Sequence, residues 1–134
     1  MLGGSLQRTA ALVFGIVFLL VGVLGFIPPL NSGNLLLSLF AVNWPHNIVH
    51  LLFGVLGVAA ATTGAWSLLY IRVTGIVYLL VAALGFIGIL TFNGMLLGLV
   101  MVNPADNFLH LAIAIVTLIL GFIPQFSRST VVAS

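Results

Sequence analysis

Apolar residues run through this chain in long uncharged stretches, and the polar positions between them gather in short clusters of turn and helix-start residues. Residues 10–27 carry no charge. About 20 apolar residues rising 1.5 Å each cross a hydrocarbon core about 30 Å thick, so this run predicts a first membrane helix. Pro28 and Pro29 end it, and Asn31 to Asn34 reads as a turn. The run Leu35 to Val42 is apolar but too short to span, which predicts an interfacial or re-entrant stretch lying on the bundle, with Met95 to Val102 as its counterpart. A second helix is expected from near Pro45, capped by Asn43, to about Thr63. Arg72 is read as marking the connection to a third helix over roughly Leu69 to Leu90. A fourth opens at Asn103 and Pro104 and ends near Ile123 and Pro124, leaving a polar tail, 125–134, expected to fray.

The pattern repeats at an offset of sixty positions: Gly15–Ile27 and Gly75–Ile87 are identical at ten of thirteen positions. A cleaved signal segment has no reason to match an interior helix, so the first run is read as a membrane span. Residues 1–134 are read as a single membrane domain, with repeat one at about 8–64 and repeat two at about 68–124. The fold expected is all-α: a polytopic four-helix bundle of two parallel two-helix repeats, related by a pseudo-two-fold axis along the membrane normal. At heptad spacing the second helix places Asn47, His50, Gly54, Gly57, Ala61 and Gly64 in one seam, and the fourth places Asn107, His110, Ala114, Thr117 and Gly121. Gly15, Phe18, Gly22 and Gly25 on the first helix are answered by Gly75, Tyr78, Ala82 and Gly85 on the third. Small and hydrogen-bonding residues belong at contacts between helices in lipid, because these contacts depend on close packing. His50 and His110 are expected at equal depth, about 8 to 9 Å below the outer helix ends.

Composition reinforces the membrane reading. Three basic residues, one acidic residue and three histidines stand in 134 residues, and 3% of the chain is charged against roughly a quarter in soluble domains. Lipid is therefore the expected partner of most of the surface. The high isoelectric point comes from a few arginines and implies no nucleic acid. Cysteine is absent, which excludes disulfides and thiolate metal sites. Arg8, Arg72 and Arg128 on one side, with Asp106 on the other, predict a multi-pass protein with both termini cytoplasmic. Trp44 and Trp66 read as interfacial anchors.

The paired runs at Gly15–Ile27 and Gly75–Ile87, with the N-x-x-H-N-x-x-H-L run from Asn43 to Leu51 and its partner N-x-x-x-N-x-x-H-L from Asn103 to Leu111, resemble the prokaryotic membrane family called domain of unknown function 4383. The resemblance covers about Leu12 to Phe122. It implies a small four-helix integral membrane protein and no particular activity.

Chemistry concentrates at the two helix starts. His50 and His110 are expected to hydrogen-bond across the seam near Asn47 and Asn107, giving a non-enzymatic structural or accessory component of a membrane complex, with other subunits or further copies as partners. An alternative uses His50 and His110 to bind haem, a chlorophyll-type pigment or a transition metal. His46 and His50 are four residues apart, as are Asp106 and His110, so a metal set of His46, His50, Asp106 and His110 is also expected. No nucleophile, base and acid set and no phosphate loop is present. A small-solute transporter or channel built as an oligomer is the further alternative, with two histidines as the polar groups inside the bilayer.

Overall fold

The computed structural model describes residues 4–124, and the predicted polar tail with Arg128 lies outside them. Four α-helices form the body: α1 (Ser5–Leu24), α2 (Trp44–Ala60), α3 (Gly64–Ile87) and α4 (Pro104–Phe122). Three of them, α1, α3 and α4, are long and apolar enough to cross a membrane, whereas α2 has 17 residues. α1 packs along α2 and α3 along α4, and contact between α1 and α3 joins the two hairpins. The long aliphatic side chains point outward, Leu20, Leu52, Leu80 and Ile119 among them. With charge nearly absent and the exterior aliphatic, this is a polytopic membrane protein.

The stretches expected to be interfacial or re-entrant and to lie on the bundle form two small antiparallel meanders. β1 (Asn31–Ser32), β2 (Leu35–Leu36) and β3 (Phe40–Ala41) form one, and β4 (Thr91–Phe92), β5 (Met95–Leu96) and β6 (Val100–Met101) the other. The reason lies in the turns. Gly33 and Asn34 between β1 and β2, and Asn93 and Gly94 between β4 and β5, all have positive φ, the geometry of two-residue hairpin turns matched to strand twist. Such reversals exclude a helix, and strand pairing satisfies part of the backbone that helix would otherwise have satisfied.

Other boundaries also move. α2 stops at Ala60, where the Thr62 hydroxyl donates to Ala59 O at 2.7 Å. α3 starts at Gly64 because Thr63 Oγ1 caps Trp66 N at 3.2 Å. Arg72 therefore sits inside α3 and not in the connection; its Nε donates to Gly121 O at 2.7 Å, near the C-terminal end of α4. Arg8 Nε donates to Ala61 O, the C-cap of α2, at 3.0 Å. Arg8 and Arg72 thus each satisfy a carbonyl where a helix dipole ends negatively. Gln7, fully buried, donates to Leu120 O at 3.0 Å at the same end.

Glycine sets how closely the hairpins close. A Cβ at Gly15 would come within 2.6 Å of Val58 N and 2.9 Å of Gly57 C, so α1 and α2 touch backbone to backbone. The Asn47 side chain occupies the space a Cβ would need at Gly25, and Asn107 does the same at Gly85.

Candidate metal centre

The site is assembled at the starts of α2 and α4, where each helix is tied to the meander of the other half. Asn43 Oδ1 caps His46 N at 3.2 Å and accepts from Met101 N at 3.2 Å, while Asn43 Nδ2 donates to Leu99 O at 2.9 Å. Reciprocally, Asn103 Oδ1 caps Asp106 N at 2.9 Å and Asn103 Nδ2 donates to Leu39 O at 2.9 Å. First-turn prolines, Pro45 and Pro104, leave both caps free for this work.

His46 and Asp106 occupy equivalent positions sixty apart, and each reaches the opposite meander. His46 Nδ1 lies 2.8 Å from Met101 O. A carbonyl only accepts, so Nδ1 carries the proton at this contact. Asp106 has the shorter side chain, and its Oδ2 accepts from Ala41 N at 3.0 Å and from its own N-cap, Asn103 N, at 2.9 Å. The carboxylate is thus engaged by two backbone amides and stands outside the imidazole group. The expected four-ligand set is accordingly resolved into three histidines and one capping acid.

His46, His50 and His110 are buried together, and one nitrogen of each lies within 4.8 Å of the others. The His46 ring centroid is 4.5 Å from that of His50 and 5.9 Å from that of His110. An aromatic floor supports them. Phe18 stacks on His50 at 5.9 Å, Tyr78 meets His110 edge-on at 5.3 Å, and the Phe18 and Tyr78 rings stack on each other at 5.4 Å. Phe53 packs edge-on against both. His46 is as enclosed as the other two, at 3% exposure.

The hydrogen bonds expected across the seam near Asn47 and Asn107 do not reach the Nδ1 atoms of His50 and His110. His50 Nδ1, His110 Nδ1, Asn47 Oδ1 and Asn107 Oδ1 are all buried with no hydrogen-bond partner among the described residues. Unmet polar groups in an apolar interior cost free energy, and two such imidazole atoms in one cluster are what a ligand would resolve. The other seam residues are placed for packing: Gly54 meets Leu19 and Gly57 meets Tyr70 and Gly15, while Ala114 and Thr117 are fully buried, with the Thr117 hydroxyl donating to Ile113 O at 2.6 Å. The sequence reading missed Phe18 and Tyr78 as the floor of the site. Their place at matching positions of the repeat, one turn from a seam glycine, was the available signal.

The model of the family described as domain of unknown function (DUF4383) matches residues 8–123, and the chain belongs to that family. No curated protein and no solved structure matches it.

Proposed function

We propose that this member of the family holds a first-row transition-metal ion, zinc in the first instance, on His46, His50 and His110 inside the membrane. The observation that carries the reading is the convergence of three buried imidazoles, one nitrogen from each within 4.8 Å of the others, at the helix starts that are tied to the opposite meander. A tetrahedral ion with bonds of about 2.0 to 2.1 Å holds its nitrogens about 3.3 Å apart, a contraction that small ring rotations deliver. The donor set suits such an ion: imidazole binds zinc, copper, iron and nickel, and ligating histidines commonly hold their second nitrogen on a backbone carbonyl, as His46 does on Met101. Three protein ligands leave a coordination position open, which is the pattern of sites where the ion meets another molecule. A haem or pigment fits less well. His46 stands close against both His50 and His110, and Phe18 and Tyr78 cover their rings, so no slab remains between His50 and His110 for a macrocycle. A purely structural seam is weakened by the unpartnered Nδ1 atoms of both histidines.

The reciprocal bonds of Asn43 to Leu99 and Asn103 to Leu39 also support a parallel arrangement of the two repeats, 8–64 and 68–124, about an axis normal to the membrane. The Arg8 and Arg72 contacts lie at the ends of α2 and α4, away from the caps, and we assign that side to the cytoplasm. Metal analysis of protein purified in mild detergent from zinc-supplemented cells is the test. About one ion per chain is expected, lost in His50→Ala and His110→Ala. A preparation that stays metal-free and takes up neither zinc nor cobalt on titration overturns the proposal.

A further inference from the structure

At the end of the bundle opposite the histidines, α2 finishes, α3 begins, and Arg8 and Arg72 make their contacts. Only residues 61–63 separate α2 from α3, yet the two pack lightly, because α2 lies along α1 and α3 along α4. The gap between them is a groove of about 460 Å³, walled by Phe53, Leu56 and Ala60 of α2 and by Leu69, Tyr70 and Val73 of α3. It follows α2 from Phe53 to Thr62, about 13 to 14 Å at 1.5 Å per residue. Its hydroxyl groups ask nothing of a ligand. Tyr70 Oη donates to Phe53 O at 2.9 Å, Thr62 Oγ1 donates to Ala59 O at 2.7 Å, and Thr74 Oγ1 is buried out of reach. Along its length the groove therefore suits hydrocarbon. At its open end the chemistry changes. Trp66 lines the groove, is 61% exposed, and has an indole N–H without an acceptor among the described residues. Arg8, also exposed, donates its Nε to Ala61 O, between the lining residues Ala60 and Thr62, and its Nη groups have no partner among the described residues. The single acid of the chain, Asp106, caps α4 at the far end and neutralises nothing here.

We infer that this groove holds one acyl chain of an anionic phospholipid, with the phosphate on the Arg8 guanidinium and a glycerol ester carbonyl on the Trp66 N–H. The charge is what selects the occupant. Lipid tails are as apolar as leucine, so the groove by itself distinguishes no lipid from another. A guanidinium fork matches the oxygens of a phosphate, and tryptophan belongs at headgroup level, where its ring is apolar and its N–H meets polar groups. A second copy of the chain fits less well, since a two-fold contact through this groove brings one Arg8 against the other with no acid nearby. The inference is independent of the metal reading, because no group of the histidine cluster takes part.

Native mass spectrometry of the purified full chain tests this, with titration in mild detergent by dioleoyl phosphatidylglycerol or by zwitterionic dioleoyl phosphatidylcholine. The anionic lipid is expected to bind about fivefold more tightly, the factor that one arginine supplies at an anionic surface. Arg8→Gln keeps a donor for Ala61 O and should erase that preference. Ala59→Phe, or Val73→Phe should the first variant fold poorly, blocks the groove from an exposed position and should weaken the binding of both lipids. Glycerol phosphate, a headgroup without a chain, should not displace the lipid. Equal affinity for the two lipids, a preference retained in Arg8→Gln, displacement by glycerol phosphate, or a dimer that the groove variants disperse overturns the inference.

Discussion

Gly15 and Gly75 occupy the same position in the two repeats, and the structure assigns their alanine variants different outcomes. At Gly15 the new methyl group would sit 2.6 Å from Val58 N, 2.9 Å from Gly57 C and 3.0 Å from Gly54 O, all backbone atoms of α2. Relief to ordinary contact demands that one helix retreat by about 0.8 Å, because backbone cannot change rotamer. At Gly75 the nearest atoms are Leu118 Cγ at 2.8 Å, Leu118 Cδ2 at 2.9 Å and Thr117 Oγ1 at 3.0 Å, all side-chain atoms. Overpacking of a rigid contact costs about 1 to 3 kcal/mol, and replacing a helical glycine by alanine returns about 0.5 to 1 kcal/mol. Gly15→Ala is therefore expected to destabilise by about 1 to 2 kcal/mol. For Gly75→Ala, a displaced Leu118 rotamer at about 0.5 to 1.5 kcal/mol nearly cancels the helix gain. Equilibrium unfolding in mixed micelles, followed by circular dichroism on both variants and the parent, measures the difference. Equal losses, or a larger loss at Gly75, would refute the backbone contact between α1 and α2 on which the placement of His46 and His50 depends.

Further outcomes follow from the site. Asn43→Ala removes a helix cap and two bonds to the second meander, so a loss of about 2 kcal/mol is expected in the same unfolding assay. It also releases the strand that positions Met101 O, and metal affinity should fall about 10- to 100-fold in a competitive chelator titration. Metal affinity should decline as pH is lowered, because protons compete for the imidazole nitrogens; proton release on zinc addition, read with a pH indicator at low buffer strength, checks the sign. Leu37 holds φ at 52° while 61% exposed, so Leu37→Gly is expected to be neutral or to stabilise by up to about 1 kcal/mol, where an ordinary exposed leucine would lose stability on the same change.

The helices were legible in the sequence because lipid imposes a crude requirement: long uncharged runs whose small residues recur on one stripe. That stripe is buried in the structure at Gly15, Phe18, Gly22 and Gly25. The meanders were harder to read. Leu35 to Val42 reads as interfacial or re-entrant by hydropathy, and the informative residues were few: Asn93 and Gly94 form the strongest short hairpin signal, and Gly33 and Asn34 its weaker copy. The spacing of His46, His50 and Asp106, His110 placed each pair on one helix face, but spacing does not tell a ligand from a cap. Asp106 became a cap because its short side chain returns to Asn103 N, whereas the longer ring of His46 reaches Met101 O. The inward turn of His46 was equally hidden, since it follows from a strand that hydropathy does not reveal.

X-ray absorption at the zinc edge on purified protein tests the central claim most directly. The account predicts a first shell dominated by nitrogen at about 2.0 to 2.1 Å, with the outer scattering of three imidazoles, reduced to two in His46→Ala. A shell of oxygen alone, or a spectrum unchanged when His46, His50 and His110 are all replaced, would contradict it.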